Sequence, residues 1–160
     1  MKAASSKELL PFSEGTWFAV PLRVAGYAVG RVARHSPTGD VILAYFFGPK
    51  REAVPNLDEI EHLEPANAIK ALRVSELGLL DGSWLIIGDS LRWERERWPI
   101  PAFIRKDPLS QTAWRVTYSD NDPNSVPSEV RIPYETTGLE PDRYSGHKAA
   151  EIHVSKVLEE

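Results

Sequence analysis

Between residues 16 and 48, short apolar runs alternate with turn chemistry. Thr16-Trp-Phe-Ala-Val-Pro-Leu22 breaks at Ala25-Gly26, and Tyr27-Ala-Val-Gly-Arg-Val-Ala33 ends in His35-Ser-Pro-Thr-Gly-Asp40. Val41-Ile-Leu-Ala-Tyr-Phe-Phe47 is closed by Gly48-Pro49. Runs of this length, rich in Val, Ile and aromatics and bounded by Gly, Pro and Asp, predict strands joined as an antiparallel meander. Pro21 has no N–H to give a ladder and belongs at an edge or a strand end, while Gly30 predicts a bulge or bend. The third run is apolar on both faces, which places it centrally in the sheet.

After Pro55, Asn56-Leu-Asp-Glu59 sets a capping residue three positions before a Glu, and Leu57, Ile60 and Leu63 recur at helical spacing. This predicts a short helix with an acidic outer face, ended by Pro65. From Ala66 to Gly88 helix and strand signals compete, although Trp84-Leu-Ile-Ile87 reads as a strand. Arg92 to Lys106 is dense in aromatic and basic residues, and Pro99 and Pro101 exclude a regular helix there. Ala113-Trp-Arg-Val-Thr-Tyr118 alternates as a strand, Ser119 to Asn124 is a loop, and Glu129-Val-Arg-Ile132 is the expected hairpin partner. Near the end, Ser145 is placed to cap a helix whose stripe is Ala150, Val154, Val157 and Leu158. The expected class is mainly β, a β-rich α+β fold, with a curved antiparallel sheet or half-open barrel and one or two short helices. One domain over residues 1–160 is expected, with 1–13 a flexible or loosely packed N-terminus. Trp17, Phe18, Tyr45, Phe46, Phe47 and Trp84 are the expected core aromatics.

Composition removes several functions. A chain of 160 residues can bury a core without a staple, and the absence of cysteine excludes disulfides, thiolate metal sites and a cysteine nucleophile. The polar start Met1-Lys-Ala-Ala-Ser-Ser-Lys-Glu8 and the lack of any run near the roughly 20 apolar residues of a membrane span predict a cytosolic protein. His35, His62, His147 and His153 do not share a ligand spacing, so neither metal nor cofactor is expected. No G-x-S-x-G turn, Walker loop or dinucleotide fingerprint occurs, and Gly88-Asp-Ser90 lacks the second glycine of a nucleophile turn. An enzyme is not expected. The net charge of −4 resides in the second half, since residues 1–80 hold nine basic and nine acidic side chains. Glu52 to Glu64 has five acids and no Lys or Arg, and Asp107 to Asp142 has seven acids against Arg115 and Arg131. Such surfaces repel phosphate backbones and attract basic partners. The candidate contacts are therefore Asp58, Glu59, Glu61 and Glu64 on the short helix, with Asp120 and Asp122 in the loop as second choice. The alternative is a nucleic-acid module in which Trp93, Trp98 and Phe103 stack bases beside Arg92, Arg95, Arg97, Arg105 and Lys106. Glu94, Glu96 and the acidic total argue against it.

Glu14-Gly-Thr-Trp-Phe-Ala-Val-Pro-Leu22, Gly26-Tyr-Ala-Val-Gly-Arg-Val32 and Leu43-Ala-Tyr-Phe-Phe-Gly-Pro49 together resemble the opening of the bacterial immunity protein 26 family. Leu77-Gly-Leu-Leu-Asp-Gly-Ser-Trp84, Trp93-Glu-Arg95 and Trp98-Pro-Ile-Pro-Ala-Phe103 resemble its middle segment. The resemblance implies a mainly β protein encoded beside a polymorphic toxin, whose partner is that cognate toxin. It implies neutralisation by one-to-one occlusion, and it carries over no functional residue. Many such toxins are nucleases, whose basic channels would suit the acidic stretches.

Overall fold

The computed structural model describes residues 10–159. In chain order the strands are β1 (Thr16–Pro21), β2 (Tyr27–His35), β3 (Val41–Arg51), β4 (Lys70–Ser75) and β5 (Leu85–Asp89), then β6 (Phe103–Asp107), β7 (Thr112–Thr117), β8 (Ser128–Ile132), β9 (Glu140–Pro141) and β10 (Tyr144–Ser145). The helices are α1 (Leu57–Ile60), α2 (Leu77–Asp81) and α3 (His147–Glu159), with 3₁₀ turns at Pro65–Asn67 and Arg95–Arg97. Among the described residues the strands close no barrel. They form a large sheet in the order β10-β4-β3-β2-β1-β5 and a small one in the order β8-β7-β6-β9. Neighbours are antiparallel except β10 with β4 and β9 with β6.

The uninterrupted apolar run of β3 has a direct cause, because the large sheet is covered on both faces. Ile42, Ala44 and Phe46 face a core built with Phe18, Val20, Val32, Trp84 and, from α3, Ala150 and Val154. Leu43, Tyr45 and Phe47 face the opposite way, into a core with Trp17, Val29, Ile60, Trp98 and the small-sheet residues Phe103 and Val116. All six expected core aromatics are buried. Each large apolar side chain taken fully out of water contributes roughly 1.5–3 kcal/mol, so the two covers account for much of what holds the fold. Pro21 ends β1, beyond the last β5 pairing at Ala19↔Leu85, where no ladder needs its N–H.

Several expectations are corrected. Gly30 is not itself a bulge: the register shifts of β2 lie on either side of it, between Tyr27 and Val29 and between Val32 and Arg34. A glycine is needed there for close approach, since a Cβ would sit 2.4 Å from Phe18 Cζ while that ring is stacked on Trp84 at 5.3 Å. The first helix stops at Ile60, well before Pro65, which instead starts a 3₁₀ turn. Leu63 still packs against the core from outside the helix. The competing signals of 66–88 resolve into β4, α2 and β5, and the proline-rich stretch runs into β6 at Phe103. Ser145 does not cap α3. It lies in β10, while Gly146 accepts the first helical hydrogen bond from the Ala150 N–H. Val157 falls off the buried stripe, which runs Ala150, Val154, Leu158 at a spacing of four. Of the N-terminal stretch 1–13, residues 1–9 lie outside the described ones, and Phe12 is buried edge-on to His35.

Gly30→Ala should lower stability by about 1–3 kcal/mol, because the added methyl must displace Phe18 from its stack on Trp84. The urea midpoint measures this. Phe18→Leu combined with Gly30→Ala should cost less than the two single changes together, and an unchanged midpoint in Gly30→Ala would contradict the packing.

Candidate functional site

α1 sits where β3 has given out, and its single turn is held by its own first residues. The Asn56 N–H donates to Glu59 Oε1 at 2.9 Å, so Glu59 caps the turn rather than reaching outward. Ile60 is buried and Leu57 half-buried, which leaves Asp58 and Glu61 on the exposed side. A cleft of about 500 Å³ runs between this helix and the end of β5, lined by Asp58, Glu61, His62, Asp89, Leu91 and Arg92. A second, of about 320 Å³, adjoins it across Glu61, His62 and Arg92 and reaches Arg31, Glu64, Arg97 and Trp98. Glu61 accepts a hydrogen bond from Ser90 Oγ at 3.2 Å and Asp89 from Thr16 Oγ1 at 2.5 Å. Among the described residues no salt bridge engages Asp58, Glu61 or Asp89.

Behind the second cleft lies a buried cation. The β ladder sets Arg31 between Trp17 and Tyr45 on neighbouring strands. Its side chain is 3% exposed, with Cζ 4.5, 4.6 and 4.7 Å from the ring centres of Trp17, Trp93 and Trp98. Nε donates to the Gly15 carbonyl at 3.0 Å, whereas Nη2 is buried with no hydrogen-bond partner among the described residues. Burial pushes the guanidinium down to about 10, opposed by the fields of Glu61 and Asp89. The indole faces substitute for a paired carboxylate, each desolvated cation–π contact being worth about 2 kcal/mol.

The loop acids have a different fate. Asp120 Oδ1 accepts from Arg34 Nη2 at 2.8 Å and Oδ2 from Arg95 Nη1 at 2.7 Å. Its backbone carbonyl takes further bonds from both side chains. The hydrogen bond from Arg34, which is 2% exposed, leads the causes that hold the Asp120 carboxyl below its ordinary value. Asp122 accepts from the Asn124 N–H at 2.9 Å and shapes the turn. Glu64 is paired with Arg97 at 3.1 Å. The same 3₁₀ turn thus ties both expected patches together, through Arg97 to Glu64 and through Arg95 to Asp120 and Glu14.

These pairings also bear on the nucleic-acid alternative. Arg95 and Arg97 are matched to acids, and Arg105 binds Glu129 beneath the Trp114 ring. Trp98 and Phe103 are core residues and Trp93 covers Arg31, so the three aromatics present no row of faces on which bases could stack. Asp89 and Arg31 had not been singled out from the sequence. Arg31 had a legible signal, a cation flanked by Gly30 and Val32 within an otherwise apolar stretch of β2. Asp89 had only its place after Gly88. Among the described residues no group of three or more His, Asp or Glu could hold a metal ion, and no helix is long and apolar enough to cross a membrane.

A sequence model of the family described as immunity protein 26 matches residues 13–115. No curated protein and no solved structure matches. The matched span includes α1, β5, Arg31 and both clefts, and it ends within β7, before Asp120 and Asp122.

Because the Asp120 carboxyl is depressed in the fold, its contribution to stability is present above about pH 4 and is lost as pH falls through the folded value. Asp120→Asn should therefore be less stable than the parent at pH 7, and the gap should close on acidification below about pH 4. Urea midpoints across that range measure it. A gap that does not change with pH would mean that Asp120 is not an ionised clasp.

Proposed function

The chain belongs to the immunity protein 26 family, and from that membership we propose that it neutralises a cognate toxin by covering it. The toxin is encoded beside it in a bacterial polymorphic toxin system. Protection is stoichiometric and operates in the cytoplasm by mass action, with no catalysis by this chain. The observation that carries the choice of surface is the acid set left unpaired at the α1–β5 cleft, Asp58, Glu61 and Asp89. A partner whose active site must hold a polyanion offers the complementary charge, which makes a nuclease the toxin class this surface suits best. Glu59 and Glu64 add to the field while their carboxylates serve the cap and Arg97. Asp120 and Asp122 are second in rank, because both lie beyond the residues the family model matches and Asp120 is already neutralised by Arg34 and Arg95. A stable complex of this kind buries roughly 1,200–2,000 Å², so the cleft is the charged part of a larger footprint.

The test is binding of the toxin encoded by the adjacent gene to the parent and to the double variant Asp58→Lys, Glu61→Lys. Both side chains are exposed, so the fold should tolerate the change. At low salt the variant should associate about tenfold more slowly, with a flatter salt dependence. Unchanged association kinetics would discard this surface, and a toxin that the parent neither binds nor inhibits would discard the function.

A further inference from the structure

Four strands end the two sheets, and three of them are protected. β9 and β10 are two residues each, and β10 leads through Gly146 directly into α3. β8 carries Glu129 and Arg131, charges of the kind that guard an edge against pairing. β5 is different. It reads Leu85-Ile-Ile-Gly-Asp89, three aliphatics in succession with no charge before the last residue. Among the described residues its one strand neighbour is β1, so half of its backbone N–H and C=O groups face away from that sheet. Leu85 is 44% and Ile86 39% exposed. Of the twelve large apolar side chains left exposed among the described residues, five lie between residues 77 and 91: Leu77, Leu80, Leu85, Ile86 and Leu91. Leu85 and Ile86 thus leave apolar surface exposed on an open edge, a template for a further strand.

We propose that the free edge of β5 receives an extended segment of the toxin by strand addition, which lengthens the large sheet by one strand in the complex. The inference rests on the function proposed above and specifies how the partner is held. Charge selects the occupant. β5 ends in Asp89, and that residue shares the cleft with Asp58 of the neighbouring helix and Glu61 just beyond its end, so the incoming strand should carry Lys or Arg beside its apolar positions. A second copy of this chain would bring the same acids to the same rim and is disfavoured by repulsion. Main-chain hydrogen bonds to β5 would supply affinity, and Leu85 and Ile86 would meet alternate side chains of the added strand.

Hydrogen–deuterium exchange of the full chain, alone and with the adjacent-gene toxin, tests this without any variant. Amides of β5 should exchange at least about tenfold more slowly in the complex, while the interior strand β3 changes little. As a second measurement, Leu85→Lys should weaken toxin binding by at least about tenfold with the free chain's thermal midpoint preserved. Toxin that is bound and inhibited with β5 exchange unchanged would overturn strand addition and leave the proposed function standing. Failure to bind the toxin would overturn both. A chain that already dimerises in sedimentation, with β5 protected before toxin is added, would show the edge to be a self-association contact and overturn the proposal.

Discussion

Everything in this fold follows from a sheet that is apolar on both sides. The β3 strand cannot turn either face to water, because Ile42, Ala44 and Phe46 on one side and Leu43, Tyr45 and Phe47 on the other are all buried. Two covers are therefore required, and they differ in kind. On the first face α2, α3 and Trp84 make a dry lid of packed hydrocarbon and aromatic rings. On the second face the sheet itself carries arginines, and the cover has to satisfy them.

That second requirement organises the other half of the chain. The register shift between Val32 and Arg34 brings Arg34 opposite Leu43, in one row with Arg73 from β4. Arg34 is met by Asp120, and Arg73 by the Pro123 carbonyl at 2.7 Å, so the 119–124 loop is drawn down over the row. Arg31, one row along, receives indoles instead of carboxylates. The acids of the second half are thus partly spent inside the molecule, since a buried guanidinium without compensation is among the costliest groups a core can hold. Asp58 in α1, Glu61 just beyond it and Asp89 at the end of β5 are among the acids that no salt bridge engages among the described residues, and these three meet in one cleft beside an edge strand with no covering charge.

The meander and its core were legible because period and turn chemistry agree there, as in Val41 to Phe47 closed by Gly48-Pro49. Strand β4 was hidden because Lys70-Ala-Leu-Arg-Val-Ser75 mixes charge with apolar residues, and only the demand for cover explains a buried Arg73. β6 was masked by the prolines that precede it. Gly30 signalled a special position, but the cause is the distant ring of Phe18, to which no local rule has access. Counting charge located both acidic stretches and could not tell spent acids from free ones. Asp120 and Asp58 look alike in sequence, and only the arginines brought to one of them by the tertiary fold separate the two.

As proposed, the chain acts by occupying its toxin and by nothing else. Titrating the adjacent-gene toxin with purified chain, while following toxin activity and the toxin's intact mass, tests it directly. Activity should fall linearly to zero at one equivalent, with the mass unchanged and activity recovered when the two proteins are separated under denaturing conditions and the toxin is refolded. Complete inactivation by a small fraction of an equivalent, or a changed toxin mass, would contradict the account and mark the chain as a catalyst.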